Sequence, residues 1–250
     1  VEFELFDQPR RLPGHCPVCE PKRLAAEAEA ERIKDTQKRQ EPYHKHFAYR
    51  DQRYAETSLD TFEQRDGFGL SLRMARRFAE QLPTPSPAGL LIHGTKGNGK
   101  TSLVYALAVK AEALGMTVAW IDGQSWLRAI GSLKDADDRE EQIRLACRAD
   151  MLVIDDLGAD KMTMPRAGWL LTIIDAFYRK KKPMALTTNF TPDKLVKALT
   201  PEKESREDAD PVEGERIVDR LAEAAVFVPN TAPSYRIELS ARRLQEVQDL

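Results

Sequence analysis

The sequence is short of several things, and each shortage removes a class of protein. It has 3 cysteines in 250 residues. An odd and small number argues against a disulfide framework and makes a reducing cytoplasm the expected compartment. No apolar run approaches the ~18 residues that a membrane span needs. Neither sign of charge is in excess: 38 Lys+Arg face 40 Asp+Glu, a formal charge of -2. That balance excludes a histone-like, wholly electrostatic nucleic-acid binder, so any DNA contact has to come from a local patch. The start, Val1-Glu2-Phe3-Glu4, lacks the basic-then-apolar order of a secretion signal. What remains, 42% hydrophobic and 31% charged residues, suits a globular chain. Its length fits one core domain with an appendage, or two small domains.

Residues 1–53 differ from the rest. Cys16-Pro17-Val18-Cys19 is half a zinc site. Two thiolates at this spacing can share one Zn²⁺, but a structural site takes four ligands, which His44 and His46 or a segment outside this chain could supply. Cys147 reads as a small apolar residue on a helix. Residues 21–41 are rich in Ala, Glu, Lys and Arg, so they predict a helix. Its apolar positions, Leu24 and Ile33, are too few for a buried stripe, so it reads as a connector or a partner-seeking helix.

From Tyr54 to residue 250 the pattern becomes α/β. Apolar residues at helical spacing predict a helix over 68–82, stopped by the prolines of 83–87. Short apolar runs predict strands at 89–93, 117–121, 151–155 and 184–188, with further candidates at 226–228 and 235–239. Helices are expected at about 99–114, 123–133, 138–148 (Asp138 and Glu141 as a capping box), from Pro165 onward, and at 240–249. Residues 201–215 hold 7 acids, 2 bases and 2 prolines and read as a solvated loop. Strands alternating with helices imply a parallel sheet covered on both faces.

The chemistry is carried by Gly94-Thr95-Lys96-Gly97-Asn98-Gly99-Lys100-Thr101, followed by Ser102. It matches the phosphate-binding pattern G-x-x-x-x-G-K-[ST] and stands where that pattern has to stand, between a buried strand and a helix. Glycines let consecutive backbone N–H groups turn inward around a phosphate. The helix that follows points its positive end at the same anion. Lys100 can reach the β- and γ-phosphates of ATP, and the Thr101 hydroxyl can ligate Mg²⁺. The run Met151-Leu152-Val153-Ile154 brings Asp155 and Asp156 to the end of a buried strand, where open α/β sheets bind ligands. Asp155 would hold the Mg²⁺ shell, and Asp156 would orient or deprotonate the attacking water.

Two more blocks, Thr187-Thr188-Asn189 and Gly214-Glu215-Arg216-Ile217-Val218-Asp219-Arg220-Leu221, follow in order. With them the sequence over about 54–240 resembles the AAA+ ATPases, and within them the bacterial replicative helicase loaders of the DnaC/DnaI type, close to the IstB-like ATPases. The resemblance implies a P-loop three-layer αβα sandwich on a parallel five-stranded sheet. It implies no helical lid domain, since little chain follows Arg220, and a small, mostly helical N-terminal segment in front. It makes Asn189 the sensor of the γ-phosphate and Arg220 an arginine finger acting on a neighbouring copy, hence self-assembly. Ser234-Tyr235-Arg236 offers Arg236 as a second sensor. It implies that residues 1–53 engage a DnaB-type replicative helicase and that residues 54–250 bind ATP, Mg²⁺ and single-stranded DNA, with no membrane partner. The segment 123–148, carrying Trp126, Arg128 and Lys134, is where this clade lines a path for single-stranded DNA. Trp126 itself reads first as packing with Leu127 and Ile130 against the core. The basic run Arg179-Lys180-Lys181-Lys182 reads first as a solvated helix end, with a DNA contact as the alternative. The family's usual Asp-Glu pair is here Asp155-Asp156, one methylene shorter at the base, which would slow hydrolysis. Three rivals stand beside the loader: an IstB-like transposition helper, a small-molecule P-loop kinase, and an interaction module switched by ATP without hydrolysis.

Overall fold

A computed structural model of the chain describes residues 19–47, 54, 57–201 and 212–248. The chain divides into two compact units, Val1–Arg39 and Gln40–Leu250. In the first, α1 (Cys19–His46) begins. Its Leu24 and Ile33 are 54% and 48% exposed, as its few apolar positions predict.

The last turns of α1 belong to the second unit. The helix runs past Pro42 to His46, beyond the expected end at residue 41. Gln40, Tyr43 and Phe47 are buried there. The Gln40 amide donates to the carbonyls of Glu112 and Met116 at 3.0 and 2.9 Å. His44 Nε2 donates to Glu112 Oε1 at 2.7 Å. The Phe47 ring stacks on Trp126 with centroids 5.9 Å apart.

Five strands form the sheet: β1 (Gly89–Gly94), β2 (Val118–Asp122), β3 (Met151–Asp155), β4 (Met184–Thr188) and β5 (Ala225–Asn230). Their order is β2-β3-β4-β1-β5 and every pairing is parallel. The central strands β3 and β4 are buried along their whole length, which is why they read as unbroken apolar runs. Helix α3 (Lys100–Ala113) crosses from β1 leftward to β2. Helices α4 (Ser125–Ser132), α5 (Ala136–Arg148), α6 (Met164–Lys180), α7 (Pro192–Leu199) and α8 (Val212–Ala224) belong to crossovers running the other way. Right-handed crossovers in opposite directions put the two groups on opposite faces. Helix α2 (Gly69–Glu80) packs beside α3, giving a three-layer α/β/α sandwich with its core on both sides of the sheet. No helix among the described residues is long and apolar enough to cross a membrane.

Three local expectations change. Residues 235–239, a strand candidate, are the first turns of α9 (Tyr235–Gln248). The alternation Tyr235, Ile237, Leu239 imitates a strand, yet Ile237 is 72% exposed, and Ile237 and Glu238 N–H both donate to Ser234 O to start a helix. Helix α5 is capped by Asp135, whose side chain accepts from Asp137 N–H at 2.8 Å, and not by Asp138. The expected loop 201–215 gives way at Val212 to α8, which buries Ile217, Val218 and Leu221 against the core.

Candidate nucleotide-binding site

The chain leaves β1 toward one face and leaves its neighbour β4 toward the other. The crevice between such diverging connections is where open α/β sheets take ligands. The turn 94–99 follows β1, Asn189 follows β4, and Asp155 ends β3 beside them. The turn's shape depends on its glycines. Gly97 sits at φ +79°, and a Cβ there would lie 2.4 Å from Ser234 Oγ. Gly94 approaches the Asn230 carbonyl so closely that a Cβ would collide with it. The Asn98 amide, fully buried, donates to Asn230 O at 2.9 Å and ties the turn to β5.

Lys100 is 4% exposed. Its Nζ donates to Gly94 O (2.9 Å), Thr95 O (2.7 Å), Asn98 Oδ1 (3.2 Å) and Asn189 Oδ1 (3.0 Å). All four acceptors are neutral, so a buried ammonium is held without a bonded counter-charge. Burial pushes its pKa down to about 8, with Asp156 and Asp155 opposing the shift and Arg236 adding to it. Such a group suits an incoming polyanion.

The oxygen donors meet at the next position. Asp155 Oδ1 accepts from Thr101 Oγ1 at 3.1 Å and from Thr187 Oγ1 at 2.5 Å. Burial pushes Asp155 up to about 6; the Thr187 and Thr101 hydroxyl bonds oppose the shift, and the neighbouring Asp156 charge adds to it. A hydroxyl and a carboxylate side by side are the hard-oxygen set that Mg²⁺ takes, together with phosphate and water oxygens. Asp156 holds a left-handed backbone at φ +54°, its N–H donating to Thr187 Oγ1 at 2.9 Å. Its carboxylate accepts from Asn189 Nδ2 at 2.9 Å.

Lys100, Thr101, Asp155, Asp156 and Asn189 therefore share one hydrogen-bonded cluster, with Ser102 half-buried in the first turn of α3. Thr95 and Lys96 are exposed on the turn. Arg236 lies close enough to act on Lys100 electrostatically, and Tyr235 N–H donates to Gly97 O at 2.9 Å, so the start of α9 packs on the turn. Arg220 is not part of this cluster. It sits on α8 and pairs with Asp175 and Glu223.

Two contributors were not foreseen from the sequence. Thr187 fixes both aspartates, and its signal was present as the polar tip of an otherwise apolar strand. Arg65 donates to Asn98 O at 3.2 Å and lies over the rings of Phe68 and Tyr235 at 4.9 and 4.8 Å. Nothing in its sequence neighbourhood marks it.

The other candidates fare differently. Cys16 lies outside the described residues, and Cys19 opens α1. His44 is engaged by Glu112, and no group of three or more His, Cys, Asp and Glu able to hold a metal ion occurs among the described residues. Zinc therefore has no support among the described residues. Trp126 is 8% exposed and stacked on Phe47, which settles it as a core residue rather than a platform for bases. Arg128 makes a bidentate pair with Asp160, both contacts 2.7 Å.

Comparison with known proteins agrees with this geometry. Residues 24–243 match the family described as IstB-like ATP binding protein. The uncharacterized protein YdaV of Escherichia coli (strain K12) is 25% identical over 159 residues, 63% of this chain and 58% of YdaV. The chain thus spans little more than half of that relative's length. The ATP-binding protein of insertion sequence IS5376 from Geobacillus stearothermophilus is 23% identical over 189 residues, 76% of this chain and 70% of the relative. Among solved structures, DnaI superposes with a TM-score of 0.61 at 23% identity, covering 74% of this chain and 94% of DnaI. The DnaC helicase loader gives 0.58 at 23% identity, covering 72% and 100%. At these identities the two structures share the fold.

Proposed function

This chain belongs to the IstB-like ATP-binding family, and from that premise we infer that it is an Mg²⁺-dependent ATPase that delivers a DnaB-type replicative helicase to single-stranded DNA in the cytoplasm. The observation that carries the ATPase half is the Asn189 amide, which joins the phosphate-side Lys100 to the water-side Asp156. The turn 94–99, Lys100 and Ser102 would hold the triphosphate. Thr101 and Asp155 would hold Mg²⁺, which supplies positive charge to the phosphate oxygens. Hydrolysis adds water across the β–γ linkage. Asp156 would orient that water and accept its proton, and Asn189 would fix the Asp156 carboxylate for the task. Arg220 would complete the site of a neighbouring copy, so turnover is slow for the lone chain and rises on assembly.

The choice of partner is supported by the likeness to the DnaC helicase loader over that protein's full resolved length. A second reading has its own support: the relative from insertion sequence IS5376 makes a transposition helper, with a transposase as partner, the alternative. Capture on the immobilised full chain separates them. The loader reading expects ATP-dependent retention of a purified DnaB-type helicase and none of the transposase. Retention of the transposase alone would reverse the assignment. Phosphate release measured on the same material tests hydrolysis, and none with any partner would leave ATP as a conformational ligand.

A further inference from the structure

Arg220 is held in a cradle built from two helices. Its Nε lies 3.2 Å from Asp175 Oδ1 on α6. Its Nη1 donates to Glu223 Oε2 at 2.9 Å on α8 itself. The guanidinium carbon lies 5.0 Å from the centroid of the Tyr178 ring. The arginine side chain is nevertheless 41% exposed.

The two carboxylates are not equivalent. Glu223 is three residues along the same helix and 51% exposed. An exposed pair of this kind contributes little and exchanges readily. Asp175 is 24% exposed and belongs to a different helix. Its Oδ1 is buried and makes no hydrogen bond, so the approach to Nε is an ion pair without hydrogen-bond alignment. Its other oxygen takes Arg179 Nη2 at 3.3 Å. One arm is fixed in the body of the protein; the other is a loose surface contact on the Nη fork.

We propose that Asp175 is a positioning residue that holds Arg220 in place at Nε by charge, and that Glu223 is an in-chain stand-in for the phosphate oxygens of a nucleotide bound to a second copy of this chain. The proposal rests on Arg220 acting in trans, as in the function proposed above. Carboxylate and phosphate oxygens are alternative acceptors for the same planar fork. When a neighbour's triphosphate approaches, Nη1 exchanges Glu223 for phosphate. Asp175 and the Tyr178 ring keep the stem and the plane in place. The fork is thereby oriented in the lone chain without being locked.

The test is ATP turnover by the full chain across a range of protein concentrations, for wild type, Arg220→Ala, Asp175→Asn and Glu223→Gln. Arg220→Ala removes the rise of rate with concentration. Asp175→Asn lowers the plateau kcat about tenfold or more, a fraction of the ~10³–10⁵ a finger supplies, and leaves KM for ATP unchanged. Glu223→Gln moves the half-stimulating concentration down, about two- to fivefold, the equilibrium equivalent of one exposed ion pair. A merely structural cradle predicts the opposite sign for Glu223→Gln, since both variants would then weaken assembly together. If Asp175→Asn and Glu223→Gln both track wild type while Arg220→Ala loses the rise, the cradle is overturned and the finger stands. If Arg220→Ala keeps the rise, or wild type shows none, the trans reading falls and the cradle with it. Should Asp175→Asn fail to fold by circular dichroism, the surface variant Glu223→Gln decides by the sign of its shift.

Discussion

Lys100 and Asp156 are joined through a single amide: Asn189 Oδ1 accepts from Lys100 Nζ at 3.0 Å while Asn189 Nδ2 donates to Asp156 Oδ1 at 2.9 Å. In the proposed function the lysine and the aspartate of the site therefore share one part, carried at the end of β4. Asn189→Ala breaks both bonds without removing either charge. It is expected to lower kcat about 10²-fold, the scale of losing one preorganised donor, with KM for ATP changed less than about threefold. A variant whose KM rises while kcat holds would make Asn189 a binding group and remove it from the hydrolytic step.

Asp156 is the residue on which the enzyme reading turns. Its left-handed backbone at φ +54° and its N–H bond to Thr187 Oγ1 aim a short carboxylate at the Asn189 amide. Asp156→Asn keeps an acceptor oxygen but cannot take a proton. A positioned general base contributes roughly 10²–10⁴, so turnover should fall by at least about 10² while calorimetry shows ATP still bound. Equal and negligible rates for wild type and variant would mean that nucleotide binding alone is the output.

Asp155 carries a stability cost that the proposed metal-holding role would account for. Its carboxyl is pushed from 3.8 to about 6, first by burial. The folded state therefore holds this proton more tightly than the unfolded state does. The ionised form opposes folding above about pH 6, and the opposition fades as pH falls from 6 toward 3.8. The cost at neutral pH is on the order of 2–3 kcal/mol. Asp155→Asn removes the charge and keeps an oxygen for Thr101 and Thr187. The nucleotide-free variant should melt a few degrees higher than wild type at pH 7.5. The gap should narrow at pH 5. In the same scans ATP with Mg²⁺ should raise the Tm of wild type and leave the variant unmoved. A variant that melts lower than wild type at pH 7.5 would show that the carboxylate holds the strand end together.

The elements that could be read from the sequence were those in which one force acts alone. Strands β3 and β4 are buried on both faces, so composition identifies them. The turn 94–99 needs glycine for steric reasons that any sequence has to meet. Reading failed where two patterns overlap. Residues 235–239 alternate like a strand, but a neighbouring strand position does not receive them, and Ser234 starts a helix that packs on the phosphate turn. The acidic run before Arg216 hid the first turn of α8. Arg65 and Thr187 escaped because their contribution depends on which elements the fold brings together across long separations.

Where the α/β unit begins is open to a direct test, because the sequence changes character near Tyr54 while the packing changes at Gln40. Gln40 bonds the carbonyls at the end of α3, and Phe47 is 2% exposed against Trp126. Helix α3 begins at Lys100, so the last turns of α1 brace the far end of the helix that carries the phosphate turn. Phe47→Ala should cost about 3–5 kcal/mol, lowering Tm by roughly 10 °C. It should also shift the Trp126 contribution to the fluorescence toward that of a solvated indole. A chain that starts at Gln40 should melt with the full-length protein, whereas one that starts at residue 54 should lose stability comparable to Phe47→Ala or more. If removal of residues 40–53 leaves Tm within about 2 °C of the chain starting at Gln40, the docked turns are an ornament of the fold and the unit begins where the sequence pattern changes.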